Sequence, residues 1–165
     1  MPAVEICVIQ PFPVAFFQRF GRDHPLGNSL GAAQSAWQAI STYVEDHKLL
    51  GPDTSFIGLY RNNHFEVAPP DCCYEACVVE PLALPPAPGL TLGNICGGRY
   101  AVIRHHGAYE TMGDTWKALY LEWLPRSGER LRRMPSFEWC RVFPPAQPSP
   151  DAWLTELWLP LERQV

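Results

Sequence analysis

The sequence predicts an α+β fold, a duplicated β-α-β-β arrangement with pseudo-two-fold symmetry in which helices pack on a mostly antiparallel sheet. Three observations lead there. Four blocks recur in the same order along the chain, one block of each half has helical spacing between β-rich neighbours, and the connections are rich in proline and glycine. The expected organisation is one domain over residues 1–165, with internal repeats of roughly 1–82 and 90–165.

Each half opens with a β-rich run that ends at a glycine, "VAFFQRFG" (Val14 to Gly21) and "YAVIRHHG" (Tyr100 to Gly107). The next block is helical. "AWQAISTYV" places Trp37, Ile40 and Val44 on one face, and "TWKALYLEW" does the same with Trp116, Leu119, Tyr120 and Trp123. Glycine signals, "KLLGPD" and "PRSGER", are expected to stop the two helices. Paired strands follow. "SFIGLY" matches "SFEWCR", and "PDCCYEACVVEPL" matches "PDAWLTELWLPLE", with proline-rich connections "NNHFEVAPP" and "FPPAQPSP" between them. The segment "PLALPPAPGLTLGNICGG" reads as the linker between halves, too short to make them independent.

Composition narrows the function classes. Hydrophobic residues are 47% of the 165, which excludes a disordered chain. The formal net charge is -4 and no Lys/Arg stripe is present, so direct DNA binding is not expected. The N-terminus "MPAVEICVIQPFPVAFF" carries Glu5 and prolines where a signal peptide has its basic and apolar regions, and no apolar run is long enough to span a bilayer. A cytoplasmic protein without membrane contact is expected. The six cysteines form no CxxC pair, so "DCCYEAC" reads as buried thiols in a reducing compartment rather than a metal site. His105 and His106 are adjacent, face opposite ways on a strand and do not share a metal. No metal and no cofactor are expected.

Glu138 is the anomaly. It sits within "MPSFEWCRV" among Phe137, Trp139, Cys140 and Val142, and the repeat aligns it with Ile57. A carboxylate where an apolar side chain belongs would be raised in pKa or held by a cation. The structural alternative is that it faces water, or pairs with Arg99, Arg104 or Arg141. The chain also holds six Trp, six Tyr and eight Phe. Such a set fills a core, or lines a cleft for flat apolar cations with an acid at its base. The candidate walls are Phe16, Tyr60, Tyr100, Tyr109, Trp116, Trp123 and Trp139.

The stretch "GGRYAVIRHHGAYETMGDTWKALYLEWLPRSG", followed by "PSFEWCRVFP" and "LTELWLPL", resembles the gyrase-inhibitor-like small-molecule-binding domain, which is also the effector-binding domain of AraC-type and multidrug-responsive transcription activators. The match runs in order over nearly the whole chain and is most specific in the second half. The resemblance implies a ligand cleft at the junction of the halves, with Glu138 as the central glutamate and Tyr109 as the tyrosine of the GxY motif. Two departures reshape that cleft. "LYRNNH" (Leu59 to His64) replaces the family's acidic run, and Cys140 follows Trp139 where the family often has Tyr.

The leading expectation is a stand-alone receptor or sequestering protein for amphipathic, cationic or electrophilic small molecules. The ligand-binding set is Glu138, Tyr109, Trp116, Trp139, Tyr60, Trp123 and Phe16. No helix-turn-helix segment or basic substitute is evident, so a transcriptional role needs a partner of unknown identity. The alternative is a hydrolase, because some members are understood to open cyclopropane-containing compounds. There Glu138 serves as general base or acid and Tyr109 orients the substrate. A third reading is a protein–protein inhibitor of a topoisomerase, which the charge of this chain does not particularly support.

Overall fold

The structure is a computed structural model that describes residues 2–79, 84–144 and 148–165. The end of the first repeat near residue 82, the start of the proline-rich linker and the middle of "FPPAQPSP" lie outside the described residues. In chain order the strands are β1 (Val4–Ile9), β2 (Phe12–Phe20), β3 (Phe56–Tyr60), β4 (Cys73–Val79), β5 (Thr91–Ile95), β6 (Gly98–His106), β7 (Ser136–Val142) and β8 (Leu154–Leu161). The helices are α1 (Ser29–Asp46), α2 (Met112–Lys117) and α3 (Leu124–Ser127), with a π-helical segment Ala118–Trp123 between the last two. The fold is α+β with antiparallel strands, as the sequence predicts. It divides into a central unit, Pro11–Cys96, and a terminal unit, Met1–Gln10 with Gly97–Val165.

In the central unit the strands pair in the order β3-β4-β2-β5. β4 lies between two neighbours and is buried from Cys73 to Val78, which suits a run that is apolar except for Glu75. α1 buries Ala32, Ala36, Ile40, Tyr43 and Val44, spaced as one helical face. Its start is fixed by Asn28, whose side-chain oxygen accepts the Gly31 N–H at 3.0 Å. Its end departs from expectation. The chain turns not at Gly51 but at Lys48, which is left-handed at φ 53°, and the Leu49 N–H returns to the Val44 carbonyl at 2.9 Å.

In the terminal unit the order is β7-β8-β6-β1. A bulge at Cys140/Val142 lets Arg141 fall between two paired positions of β7. The expected second helix is interrupted. Pro125 has no N–H to give the Leu121 carbonyl, so the α-ladder cannot run unbroken, and the chain passes through the π-helical segment. It ends as the sequence predicts, at a left-handed glycine, Gly128, with φ 77°.

Each unit therefore contains β-α-β-β and one further edge strand. The edge strands cross the repeat boundaries: β5 lies inside the segment read as linker, and β1, from the start of the chain, pairs with β6. Pairing also corrects the repeat alignment by one residue. Gly58 stands opposite Ala76 and Leu59 opposite Glu75 in the central unit; Glu138 stands opposite Leu157 and Trp139 opposite Glu156 in the terminal unit. Arg61 binds Glu75, and Arg141 binds Glu156. Matching these two ion pairs sets Glu138 against Gly58, not Ile57. The shared Ser-Phe dipeptide aligns the two blocks one residue off, and with a side-chain period of two a one-residue slip exchanges the faces.

Candidate functional site

Alternation along β7 puts Ser136, Glu138 and Cys140 on one face and Phe137, Trp139 and Arg141 on the other. Cross-strand pairing extends the first face into two rows, Glu138–Leu157–Ile103 and Cys140–Thr155–His105. The helical segment covers this face. The Thr115 hydroxyl lies 2.8 Å from His105 Nδ1, and the Tyr120 hydroxyl lies 2.8 Å from Ser136 Oγ. Glu138 is therefore a buried carboxylate, 4% exposed, beneath the helical layer rather than on a solvated surface.

Tyr109 is 38% exposed, in a one-turn 3-10 segment, Tyr109–Thr111, that leads into α2. Burial pushes its phenol well above the ordinary range, and neighbouring Cys140 and Glu138 add to the shift, which places the three groups within electrostatic reach of one another. Its ring stacks on Trp153 with centroids 4.8 Å apart. Two backbone devices hold that pair. The N–H of Gly107, at φ 115°, donates to the Trp153 carbonyl at 3.1 Å. His105 Nε2 donates to the Ala108 carbonyl at 2.9 Å, and Nδ1 is in hydrogen-bond contact with the Thr115 hydroxyl. His105 thus orients the turn that carries Tyr109.

Cys140 shares the Glu138 face of β7 and acts electrostatically on Tyr109. Burial, reinforced by the Glu138 carboxylate, raises its thiol far above the ordinary range, so it is neutral and a poor nucleophile near pH 7. Thr155 completes the polar surface. It is 1% exposed, and its hydroxyl has no hydrogen-bond partner among the described residues. A buried hydroxyl without a partner is costly.

The other candidates distribute unevenly. Trp116 is buried on α2, its ring 5.9 Å from Tyr120 on the helical layer. Trp123 is half-buried at the end of the π-helical segment. Trp139 lies on the opposite face of β7 from Glu138, 6.0 Å from Trp158 and under the Arg141 guanidinium at 3.7 Å. Phe137, Trp158 and Tyr100 share that second face as an aromatic cluster. Tyr60 and Phe16 belong to the central unit; the Tyr60 ring packs edge-on to His64 and Tyr74. Sequence reasoning missed Trp153 and Thr155. Thr155 left a signal, a lone hydroxyl in the series Thr155, Leu157, Leu159, Leu161 that shares one face of β8.

A second buried carboxylate was also missed. Glu75 on β4 is 1% exposed and is held by Arg61 through two bonds, Nε to Oε2 at 2.7 Å and Nη2 to Oε1 at 2.9 Å. The cysteines of "DCCYEAC" are free thiols, and burial raises Cys73 to about 11. Among the described residues no cluster of His, Cys, Asp or Glu is placed to hold a metal ion, and no helix is long and apolar enough to cross a membrane.

The fold is thus antiparallel α+β, with one buried carboxylate, Glu138, lying under a helical layer. The chain matches the family model for the GyrI-like small molecule binding domain over residues 2–162, and it belongs to that family. It is 43% identical over 47 residues to the "Probable transcriptional regulator YgiV" of Escherichia coli (strain K12); that stretch is 28% of this chain and 29% of the relative's length. Among solved structures it is similar to the EcmrR C-terminal domain, with a TM-score of 0.74 and 13% identity over 99% of both chains. It is similar to SAV2435 bound to tetraphenylphosphonium, with a TM-score of 0.66 and 13% identity over 97% of this chain and 94% of the other. A hydrolase from Listeria innocua gives a TM-score of 0.57 and 12% identity over 98% and 92%. At these identities the structural likeness concerns the fold.

Proposed function

We propose that the chain is a receptor or sequestering protein for amphipathic cationic small molecules, with Glu138 as the acid that receives the positive charge. The observation that carries the reading is a carboxylate 4% exposed under the helical layer of a unit that also carries the Tyr109 ring stacked on Trp153. An aromatic wall beside a desolvated negative charge suits a delocalised organic cation, whose own desolvation costs little. Membership of a small-molecule-binding family and a neighbour solved with tetraphenylphosphonium support the same ligand chemistry. The Thr155 hydroxyl offers a hydrogen bond to a polar substituent, and Trp116 contributes apolar surface from the helical layer.

A second reading, hydrolysis of reactive cyclopropane-containing small molecules, draws support from the Listeria innocua neighbour described as a hydrolase. Glu138 would take a proton from water, and the Tyr109 phenol, protonated at all physiological pH, would donate to the opening ring. Cys140 does not compete as nucleophile, because its thiol is neutral. The test pairs two assays. Tetraphenylphosphonium titrated against intrinsic tryptophan fluorescence should saturate and be recovered unchanged. Incubation with a cyclopropane electrophile, followed by mass spectrometry, reads turnover. Saturation without product supports the receptor; turnover abolished by Glu138→Gln supports the hydrolase; neither binding nor turnover removes both.

A further inference from the structure

The central unit holds a serine–histidine contact that the ligand-binding reading does not use. Ser29 opens α1, and its hydroxyl is in hydrogen-bond contact with His64 Nδ1. His64 Nε2 lies 2.9 Å from the Cys73 carbonyl, which also accepts the Arg61 N–H at 3.0 Å and is therefore fixed. A carbonyl only accepts, so Nε2 carries the proton and Nδ1 presents its lone pair to the serine hydroxyl. Burial lowers the His64 pKa, which keeps the ring neutral and able to act as a base near pH 7. The Tyr60 ring packs edge-on against the imidazole at 4.9 Å. Ser29 and His64 are 35 residues apart in sequence, so no motif advertises the pair.

The surroundings point to a ligand class. Leu30 follows Ser29, Phe65 follows His64, and Leu26 takes its backbone bond to His24; all three are exposed large apolar side chains. The N–H groups of Ser29 and Leu30 lie in the first turn of α1, beyond the reach of any intrahelical carbonyl, while Asn28 takes those of Gly31, through its side chain, and Ala32, through its carbonyl.

We propose that Ser29 and His64 form a nucleophile–base pair that accepts an acyl group from esters with apolar acyl chains. Ser29 Oγ bonds to the ester carbonyl carbon as its proton passes to His64 Nδ1, and the carbonyl π pair moves onto oxygen, where first-turn N–H groups are the available donors. Collapse re-forms the carbonyl and breaks the bond to the alcohol oxygen. That oxygen takes the proton from Nδ1, leaving an acyl-serine. Water then attacks with its proton going to Nδ1, and the carboxylic acid departs as Ser29 is reprotonated.

The test uses the full chain, a fluorophosphonate probe and p-nitrophenyl butyrate. The fluorophosphonate should add one mass increment to the peptide containing Ser29. p-Nitrophenol release should fall to background in Ser29→Ala and by about 10²-fold or more in His64→Gln. Labelling of the parent chain needs no variant, so it decides the matter even where His64→Gln folds poorly. An unlabelled Ser29 at saturating probe, or equal labelling rates in parent and a folded His64→Gln, overturns the proposal and leaves the contact as a tether between α1 and the loop after β3.

Discussion

Thr155→Val is expected to make the protein more stable. The Thr155 side chain is 1% exposed, and its hydroxyl has no hydrogen-bond partner among the described residues. Valine keeps the β-branched shape and suits the strand as well as threonine does. The substitution exchanges an unsatisfied hydroxyl for a methyl group of similar size. An unsatisfied buried polar group costs about 1–3 kcal/mol, of which roughly 1–2 kcal/mol should be recovered once small packing adjustments are charged against it. For a chain of this length each kcal/mol moves Tm by about 2–4 °C, so a rise of about 2–8 °C is expected. Scanning calorimetry and urea unfolding of parent and variant measure it, with an unchanged urea m-value showing that the folded state has not altered. A Tm equal to or below that of the parent refutes the reasoning, because it means the hydroxyl is satisfied by ordered solvent in the folded protein. The same variant reports on function: if the hydroxyl serves ligands, Thr155→Val gains stability while losing affinity for ligands with a polar substituent.

Three further expectations rest on other parts of the molecule. Arg61→Ala strands the Glu75 carboxylate, and because Arg61 is itself 44% exposed the loss should be about 1–3 kcal/mol in urea unfolding rather than the larger cost of breaking a fully buried pair; an unchanged midpoint would show that water already solvates Glu75. A fragment of residues 1–82 lacks β5 and carries β1 without its partner β6, so it should melt without a sharp transition by circular dichroism, and a cooperative one would contradict the edge-strand assignment. With a net charge of -4 and no basic stripe, the chain should not shift duplex DNA in a gel at micromolar protein, and a salt-sensitive shift would contradict this.

The strands and helices were legible wherever local chemistry is strong. The strands read from "PDCCYEACVVEPL" and "PDAWLTELWLPLE" and the helical spacing of Trp37, Ile40 and Val44 correspond to β4, β8 and α1. What periodicity could not supply was pairing. β1 and β5 are short edge strands whose partners lie far away in sequence, so proline and glycine around β5 disguised it as linker. The same ambiguity produced the one-residue slip between Ile57 and Gly58, which the strand pairing and the Arg61–Glu75 and Arg141–Glu156 ion pairs resolve together. At the candidate site, Glu138 was visible as a charge in an apolar setting and Tyr109 through the family pattern. Trp153 was not, because its value depends on the turn that His105 and Gly107 hold against it. Ser29 and His64 were invisible for the same reason: their contact exists only once α1 and the loop after β3 have folded.

The measurement that bears most directly on the account is the affinity of Glu138→Gln for tetraphenylphosphonium, set beside that of the parent in isothermal titration calorimetry. Glutamine keeps the size and hydrogen-bonding shape of the side chain and removes its charge. If Glu138 receives the cation at its buried position, affinity should fall by about tenfold or more, equivalent to about 1.4 kcal/mol, while binding of the uncharged analogue triphenylphosphine oxide changes little. Equal affinity of parent and folded variant for the cation would contradict the central claim and reduce Glu138 to a structural carboxylate beneath the helical layer.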